Sequence, residues 1–320
     1  MSFISSLDTP LLNLSAKDPF TLRDACNGVH ILGGIGSGKT SGSGKTLAGA
    51  YLRAGMGGLV LCAKPEEVNL WLDYTHQHGR SQSVILFDEN RGFNFIAYEL
   101  ARHGMQGASN VTECLLRVLE AADGATGQHG RPSEQFWTNA IRQILNYAIP
   151  IIYSAYGKGT VSDIIQFVSS ALTKHEQVKD AKWKRGYQAQ TFDHFMAKPQ
   201  IPLPQEVKRS YIHYWSYQYP DIPEKTRGNI KITLSTSLDR FLHGRLQKSF
   251  CSHTDIVPEM AFHGAIIIMN MPALTWNEDG IIGQQLFKLC GSALLNHATG
   301  WIRRNMSGLY FSGRTRHSIL

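Results

Sequence analysis

Gly33-Gly34-Ile35-Gly36-Ser37-Gly38-Lys39-Thr40 fits the phosphate-loop pattern G-x-x-x-x-G-K-[ST] at every position. The apolar run 29–32 before it predicts a strand, and residues 47–53 after it predict a helix. In that setting, glycines let successive backbone N–H groups turn toward a phosphate, and the helix N-terminus adds partial positive charge. The predicted nucleotide-binding residues are Gly33, Gly34, Ile35, Gly36, Ser37, Gly38, Lys39, Thr40 and Ser41.

Two residues of this loop carry distinct chemical roles. In loops of this kind the lysine, here Lys39, reaches the β- and γ-phosphates, and the hydroxyl of Thr40 holds Mg²⁺. We therefore expect ATP and Mg²⁺ as cofactors, with Thr40 as the metal ligand. The alternative is a glycine-rich turn that fits the pattern by chance, which the predicted strand and helix on either side disfavour.

A partial second copy follows as Gly42-Ser43-Gly44-Lys45-Thr46. It is incomplete, because the residue six positions before Lys45 is Lys39 and not glycine. Lys39 is therefore the expected phosphate lysine, and Lys45 is expected in the early helix. Glycine is unfavourable inside a helix, so Gly42 and Gly44 suggest a close approach to another backbone or to the nucleotide.

Composition sets broad limits on the class of protein. With 320 residues, 42% of them hydrophobic, the chain can form more than one average domain, or one domain with a large insertion. No apolar stretch approaches the roughly 20 residues of a membrane-spanning helix, and residues 1–14 do not resemble a signal peptide. We therefore predict a cytoplasmic protein. Five scattered cysteines favour reduced thiols, and a net charge of +7 permits polyanionic partners.

The pattern along the chain predicts an α/β fold: a parallel sheet core that a helical region divides in two. Apolar runs at 57–63, 83–87 and 264–271 predict buried strands, with a helix from Pro65 between the first two. Longer stretches with helical spacing lie between them. The predicted parts are a nucleotide-binding core at 1–112 and 260–304, a mainly helical insertion at 113–259, and an aberrant or disordered tail at 305–320.

Asp88 and Glu89 follow the predicted strand 83–87 and give the outline of a Walker B motif. In that interpretation Asp88 assists Mg²⁺ binding and Glu89 activates the attacking water. The alternative is a strand followed by a polar turn, which we favour. The two carboxylates are therefore weak candidates for catalysis.

A second function class is a nucleic-acid or partner-binding module without catalysis. Residues 174–185 are basic on balance, and residues 211–219 are rich in aromatic side chains. Phosphate contacts and base stacking of this kind suit single strands. The alternative is a solvated charged face and a packed aromatic core. The candidate DNA-binding residues are Lys179, Lys182, Lys184 and Arg185.

Several segments together resemble the coupling proteins of type IV secretion systems (TraG/TraD-like), in the HerA/FtsK group of DNA-translocating P-loop ATPases. They are 34–44, 57–64, Gly92–Phe95 and Gly264–Met271. The resemblance implies a RecA-like P-loop NTPase core with an all-helical insertion, a homo-hexamer, and ATP-driven delivery of DNA or effector proteins in conjugation and secretion. The implied partners are single-stranded DNA or the relaxosome, and components of the secretion channel.

Two departures from the family matter. Many members carry N-terminal membrane helices, which this sequence lacks, and the family's Walker B strand should follow soon after Arg304. In the given frame, 306–320 is a poor core strand. The coding DNA can also be read in the frame that begins at the third base of each codon. In that frame the codons spanning 309/310 and 310/311 must encode apolar residues, and the codons that follow permit Asp-Glu.

We therefore hypothesise a frame shift near Met306 and an ATP-binding fragment, truncated before Walker B and deficient in hydrolysis. The alternatives are a natural basic, disordered terminus, or an intact compact P-loop ATPase that uses Asp88 and Glu89. Whether the chain is an enzyme stays open. Arg227, Arg240 and Arg245 are arginine-finger candidates by position alone.

Overall fold

A computed structural model of the chain describes residues 6–34, 36–124, 132–297 and 309–312. These residues fall into two compact units. The first, here called the sheet unit, comprises the described residues up to Asp88, those of Ile256–Gln284 and those from Gly291 onward. The second, the helical unit, comprises Glu89–Asp255 and Gln285–Cys290.

The structure is mostly helical. Its strands are β1 (Pro10–Asn13), β2 (Pro19–Thr21), β3 (Gly58–Leu61), β4 (Val84–Phe87), β5 (Ile266–Met269) and β6 (Leu309–Ser312). Its α-helices are α1 (Leu22–Cys26), α2 (Lys45–Arg53), α3 (Pro65–Gln77), α4 (Phe95–His103), α5 (Gly107–Gly124), α6 (Pro132–Tyr156), α7 (Val161–Ser169), α8 (Ala181–Lys184), α9 (Tyr187–Ala197), α10 (Gln205–His213), α11 (Tyr219–Asp221), α12 (Glu224–Leu238), α13 (Gly244–Cys251), α14 (Ala273–Trp276) and α15 (Glu278–His297). Short π-helical turns occupy Thr40–Gly44 and Tyr214–Gln218.

A parallel sheet forms the core of the sheet unit, with the strand order β4-β5-β3-β6. Gly58 pairs with Ile266, and Val84 pairs with Ile266 from the other side. All four residues of β5 are buried, as expected for a strand covered on both faces. The predicted strands at 57–63, 83–87 and 264–271 and their parallel arrangement are confirmed. A separate antiparallel pair, β1 and β2, precedes them.

Gly57 shows why a glycine begins the β3 segment. A Cβ atom at this position would overlap the carbonyl oxygen of Ala261 and lie 2.7 Å from that of Ala265. Only a residue without a side chain lets the two backbones come this close, and Gly58 N then donates to Ala265 O at 2.9 Å.

The strand predicted at 29–32, directly before the phosphate loop, is absent from the described structure, so that prediction was wrong. Val29 is 45% exposed and Leu32 is 79% exposed. A four-residue apolar run carries little preference of its own, and sheet neighbours decide whether it becomes a strand. Here β3 already pairs with β5 on one side and with β6 on the other. The coarse α/β assignment is therefore supported, but the P-loop strand of a RecA-like core is not formed.

Leu309–Ser312 forms β6, in parallel register with β3, with Gly58 opposite Leu309. The sequence predicted this stretch to be a poor core strand within an aberrant or disordered tail. Pairing at the edge of a sheet uses backbone groups, which any non-proline residue supplies, and tyrosine and phenylalanine favour strands. The rest of the predicted tail lies outside the described residues, and its assignment stays a prediction.

The helical unit begins at Glu89, earlier than the boundary predicted at 113, and its first segment ends at Asp255. The reason is that Phe93 and Phe95 are fully buried. The Phe93 ring lies 4.9 Å from that of Phe287, and the Phe95 ring lies 5.9 Å from that of Phe241. The segment before α5 is therefore part of the helical core.

The two ends of the inserted segment are tied together by hydrogen bonds. Gly92 N donates to Asp255 Oδ2 at 3.1 Å, and Asp255 N donates back to Gly92 O at 2.8 Å. Asn94 N donates to His253 O at 3.1 Å. A Cβ atom on Gly92 would lie 2.5 Å from the His253 carbonyl oxygen, so glycine is required at this crossing.

α6 contains Pro150 and continues past it to Tyr156. A proline inside a helix removes one N–H and disturbs the carbonyls one turn earlier. Here Trp215 Nε1 donates to the Tyr147 carbonyl, three residues before Pro150, at 3.0 Å. The Trp215 side chain therefore binds the backbone of the turn that precedes the proline.

Candidate nucleotide-binding site

The phosphate-loop segment turns through two glycines with left-handed backbone angles. Gly36 has φ of +76° and Gly38 has φ of +75°, a region that other residues rarely adopt. Lys39 already has helical angles, and a π-helical turn at Thr40–Gly44 leads into α2. The first N–H groups of a helix have no partner within it. The motif thus ends on a helix N-terminus, as predicted, while Ile35 lies outside the described residues.

The ammonium group of Lys39 folds back over the loop. Its Nζ donates to Gly33 O at 2.5 Å and to Gly34 O at 2.6 Å. Hydrogen bonds from a charged donor are the stronger kind, so these two contacts close the loop around the lysine. A phosphate entering the loop would compete with the two carbonyls for the same ammonium group.

The other predicted loop residues are open to solvent. Gly33, Gly34, Ser37, Thr40 and Ser41 are all exposed. The Thr40 carbonyl accepts a hydrogen bond from the hydroxyl of Tyr74 on α3 at 3.3 Å. Sequence reasoning missed this contact. Tyr74 and Thr40 are 34 residues apart, and no motif links two such positions.

The second glycine-rich copy has a different role from the first. Lys45 is the first residue of α2, as predicted, and its Nζ stands 6.0 Å from the centre of the Tyr74 ring. A Cβ atom on Gly44 would lie 2.8 Å from the Lys39 carbonyl oxygen, whereas one on Gly42 would meet no atom within 4 Å. The Lys39 carbonyl belongs to the same π-helical turn and accepts the N–H of Gly44 at 2.8 Å, so the contact at Gly44 is local. The expected close approach of Gly42 and Gly44 to another backbone or to the nucleotide stays a prediction.

Gln284 joins the carboxyl ends of two central strands. Its Nε2 donates to Cys62 O at 2.9 Å and to Met271 O at 2.7 Å. These carbonyls come just after β3 and β5, and ligands of open parallel α/β sheets bind outside this edge. No sequence pattern indicated Gln284, because its partner Cys62 is distant along the chain.

Asp88 directly follows β4, and Glu89 is an exposed residue at the start of the helical unit. β4 is an edge strand, with β5 between it and β3. The structure assigns no catalytic geometry to this pair, so the Walker B interpretation of Asp88 and Glu89 stays a prediction.

The predicted aromatic surface at 211–219 is largely a packed core. Tyr214, Trp215 and Tyr219 are 1%, 0% and 0% exposed, so they cannot stack on bases. Burial raises the pKa of Tyr219 to about 12, in keeping with an apolar environment. The stacking interpretation was therefore wrong for these three residues.

Tyr217 is the exception, and it is 49% exposed. Its ring stacks between two histidines, with centroid distances of 4.6 Å to His175 and 5.0 Å to His213. The exposed stack thus joins the aromatic segment to the basic one. The basic side chains of the segment 174–185, all exposed, are Lys174, Lys179, Lys182, Lys184 and Arg185.

The arginine-finger candidates differ in their surroundings. Arg227 is 7% exposed, and its Nη1 donates to the carbonyls of Pro220 and Ile222. Its guanidinium group is therefore engaged within its own unit. Arg245 is exposed and Arg240 is half-buried.

The described residues contain neither a cluster of metal-binding side chains nor a helix that could span a membrane. Within the described ranges, no group of three or more histidine, cysteine, aspartate or glutamate side chains could hold a metal ion. Among the helices of those ranges, none combines the length and the apolar character needed to cross a membrane. Comparison with known proteins found no matching family, curated protein or solved structure.

Proposed function

We propose that this chain binds a nucleoside triphosphate, specifically ATP, through residues 33–41. The observation that carries the proposal is the loop itself: a complete phosphate-loop sequence, two left-handed glycines, and Lys39 placed at the start of a helix. Thr40 would hold Mg²⁺ through its exposed hydroxyl, and Mg²⁺ would neutralise charge on the phosphates. Lys39 would exchange its two carbonyl partners for phosphate oxygens.

We further propose that the chain is of the type IV secretion coupling-protein kind and acts in the transfer of DNA or effector proteins. The support is the set of resembling segments and the combination of a parallel sheet with an inserted helical unit. In this proposal ATP hydrolysis is weak, because in the family's layout Asp88 and Glu89 are not the catalytic Walker B pair. A homo-hexamer, single-stranded DNA or the relaxosome, the secretion channel and a cytoplasmic location belong to the same proposal.

The nucleotide proposal is tested by titrating the full chain with ATP and Mg²⁺ in a calorimeter, beside two lysine variants. Lys39→Ala should lose at least about tenfold in affinity, since charge-assisted contacts to phosphate contribute roughly 1.5–3 kcal/mol each. Lys45→Ala is the matched control, because it removes a lysine from the incomplete copy only a few residues away. Equal loss in both variants, or no binding by the unmodified chain, would contradict the proposal.

The hydrolysis proposal has its own test. Phosphate release by the purified chain should stay far below the roughly 1 s⁻¹ or more that is typical of enzymes. If turnover at that level is found and Asp88→Asn abolishes it while Asp73→Asn does not, the chain is instead an intact compact ATPase with Asp88 in its active site.

A second candidate function is binding of single-stranded nucleic acid at the His175–Tyr217–His213 stack. The favouring observation is an exposed aromatic stack beside exposed lysines. Binding of a labelled oligonucleotide should weaken steeply as salt is raised, because phosphate contacts release counterions. Tyr217→Ala should weaken binding by roughly 1–3 kcal/mol, whereas Tyr217→Phe keeps the ring and should bind as before. No binding at low salt would remove this candidate.

A further inference from the structure

Two thiols of the helical unit lie side by side. Sγ of Cys114 on α5 and Sγ of Cys290, in the part of α15 that belongs to this unit, are 3.9 Å apart. Their side chains are 2% and 1% exposed, and both are free thiols. A disulfide places its sulfurs about 2.05 Å apart, so each sulfur would have to move by roughly 1 Å.

A buried carboxylate accompanies this pair. Glu99 is 1% exposed, its Oε2 accepts a hydrogen bond from Asn110 Nδ2 at 2.8 Å, and His103 Nε2 lies 3.8 Å away. The hydrogen bond to Cys114, burial, and the nearby Glu99 together raise the pKa of the Cys290 thiol. Glu99 therefore lies within hydrogen-bond reach of the Cys290 thiol and is the group placed to accept its proton.

We propose that Cys114 and Cys290 are a modification site: a dithiol that a small hydroperoxide oxidises to an intramolecular disulfide. The site differs from the phosphate loop in both place and chemistry, and it does not depend on nucleotide binding. Disulfides of intracellular proteins are usually transient and redox-sensing, and a closely placed pair of this kind suits that use.

The reaction balances with hydrogen peroxide as the only oxidant. Cys290 gives its proton to Glu99, and the thiolate attacks the peroxide, so that an S–O bond forms and the O–O bond breaks. Hydroxide leaves and takes the proton from Glu99, giving water. Cys114 sulfur then attacks the sulfenic sulfur, the S–S bond forms, the S–O bond breaks, and a second water leaves with the Cys114 proton. Two electrons pass from the two sulfurs to the peroxide.

The product would join two helices that are distant along the chain. Closing such a long loop restricts the unfolded chain strongly, so the oxidised protein should melt roughly 5 °C or more above the reduced protein. Burial slows the first step, because small oxidants reach the thiols only when the helices open briefly.

The test uses the full chain, treated with hydrogen peroxide, blocked with an alkylating reagent and digested without reductant. The expected result is a peptide pair joining Cys114 to Cys290, lighter than the separate thiol peptides by two hydrogens and split by a thiol reductant. Cys114→Ser and Cys290→Ser should each lose both the peptide pair and the rise in melting temperature. Cys26→Ser, which changes an exposed thiol, should keep both.

Glu99→Gln tests the carboxylate as the group that accepts and returns the Cys290 proton. Disulfide formation should be about tenfold slower in this variant at neutral pH, and its rate should respond differently to pH, which a purely structural role would not change. The proposal is overturned if peroxide oxidises Cys26 in the unmodified chain while the joined peptide never forms, or if the linked peptide forms without any rise in melting temperature. The first readout needs no variant, so it stands even where a variant fails to fold.

Discussion

Gly42 and Gly44 offer a matched pair of substitutions in one turn of the phosphate-loop segment. Both lie in the π-helical turn 40–44, and neither has a positive φ. Alanine is better than glycine in a helix by about 1 kcal/mol at either position. The two positions differ in space: a Cβ atom on Gly44 would lie 2.8 Å from Lys39 O, and one on Gly42 would meet nothing within 4 Å.

The expected effects therefore have different sizes and signs. Gly42→Ala should stabilise the turn by about 1 kcal/mol, since only the helix preference changes. In Gly44→Ala the same gain is offset by an overpacked contact with the Lys39 backbone, which costs roughly 1–3 kcal/mol. Both variants have the same gain in helix propensity, so the difference between their stabilities measures the contact with the Lys39 carbonyl alone. We expect Gly44→Ala to be less stable than Gly42→Ala by about 1–3 kcal/mol.

Hydrogen exchange of the α2 amides, read by mass spectrometry without nucleotide, is the suitable assay. It reports local opening and does not require the two units to unfold together. A difference of 1–3 kcal/mol corresponds to roughly 5- to 150-fold slower exchange in Gly42→Ala than in Gly44→Ala. ATP titration provides a second readout, because the strained contact shifts the backbone of Lys39. Equal exchange rates and equal ATP affinities in the two variants would refute the reasoning.

Three further predictions concern stability. Arg80→Ala should lower the free energy of unfolding of the sheet unit by about 2–4 kcal/mol. The reason is that Arg80 Nη2 donates to Gly264 O at 2.7 Å and its other nitrogens bind neighbouring acceptors. Urea unfolding followed by circular dichroism measures the loss. Burial and two neighbouring cations lower the pKa of His78 below 6.5 in the folded chain. Its contribution to stability is therefore present above pH 6.5 and is lost as pH falls through the folded pKa. The melting temperature of His78→Gln should depend less on pH in this range. Trp215→Phe should cost the helical unit about 1–3 kcal/mol, because it removes the hydrogen bond to the Tyr147 carbonyl and puts a smaller ring into a fully buried site. Thermal melts beside Trp183→Phe give the comparison.

Local patterns predicted α2, α3 and three of the strands, because apolar periodicity and helix-start signals are properties of short segments. Pro65 began a helix as expected, and Lys45 lies in the first turn of α2. The failures involve partners far along the chain. The run at 29–32 has strand character, but no neighbour pairs with it in the described structure. α6 continues past Pro150, and Trp215, distant along the chain, donates a hydrogen bond to the turn before it.

The same distinction holds for the candidate sites. A phosphate loop is contiguous, so its residues could be named from the sequence. The aromatic residues of 211–219 could not be sorted into core and surface, because burial depends on the fold around them: Trp215 is fully buried, and Tyr217 is 49% exposed. Glu99, Cys114 and Cys290 come together from three separate segments, which is why the sequence predicted only scattered reduced thiols.

Lys39 connects the loop to the helix through both of its ends. Its ammonium group binds Gly33 O and Gly34 O, while its carbonyl accepts a hydrogen bond from Gly44 N at 2.8 Å. A phosphate that draws the ammonium away must replace two charge-assisted hydrogen bonds, each contributing roughly 1.5–3 kcal/mol. The measured affinity for ATP is therefore the difference between the contacts that Lys39 gains with phosphate and the two carbonyl contacts that it loses. If ATP binds here, a hundredfold excess over its Kd should stabilise the folded chain by about 2.7 kcal/mol, and this gain should vanish in Lys39→Ala. A rise in melting temperature with ATP that persists in Lys39→Ala would place the nucleotide elsewhere.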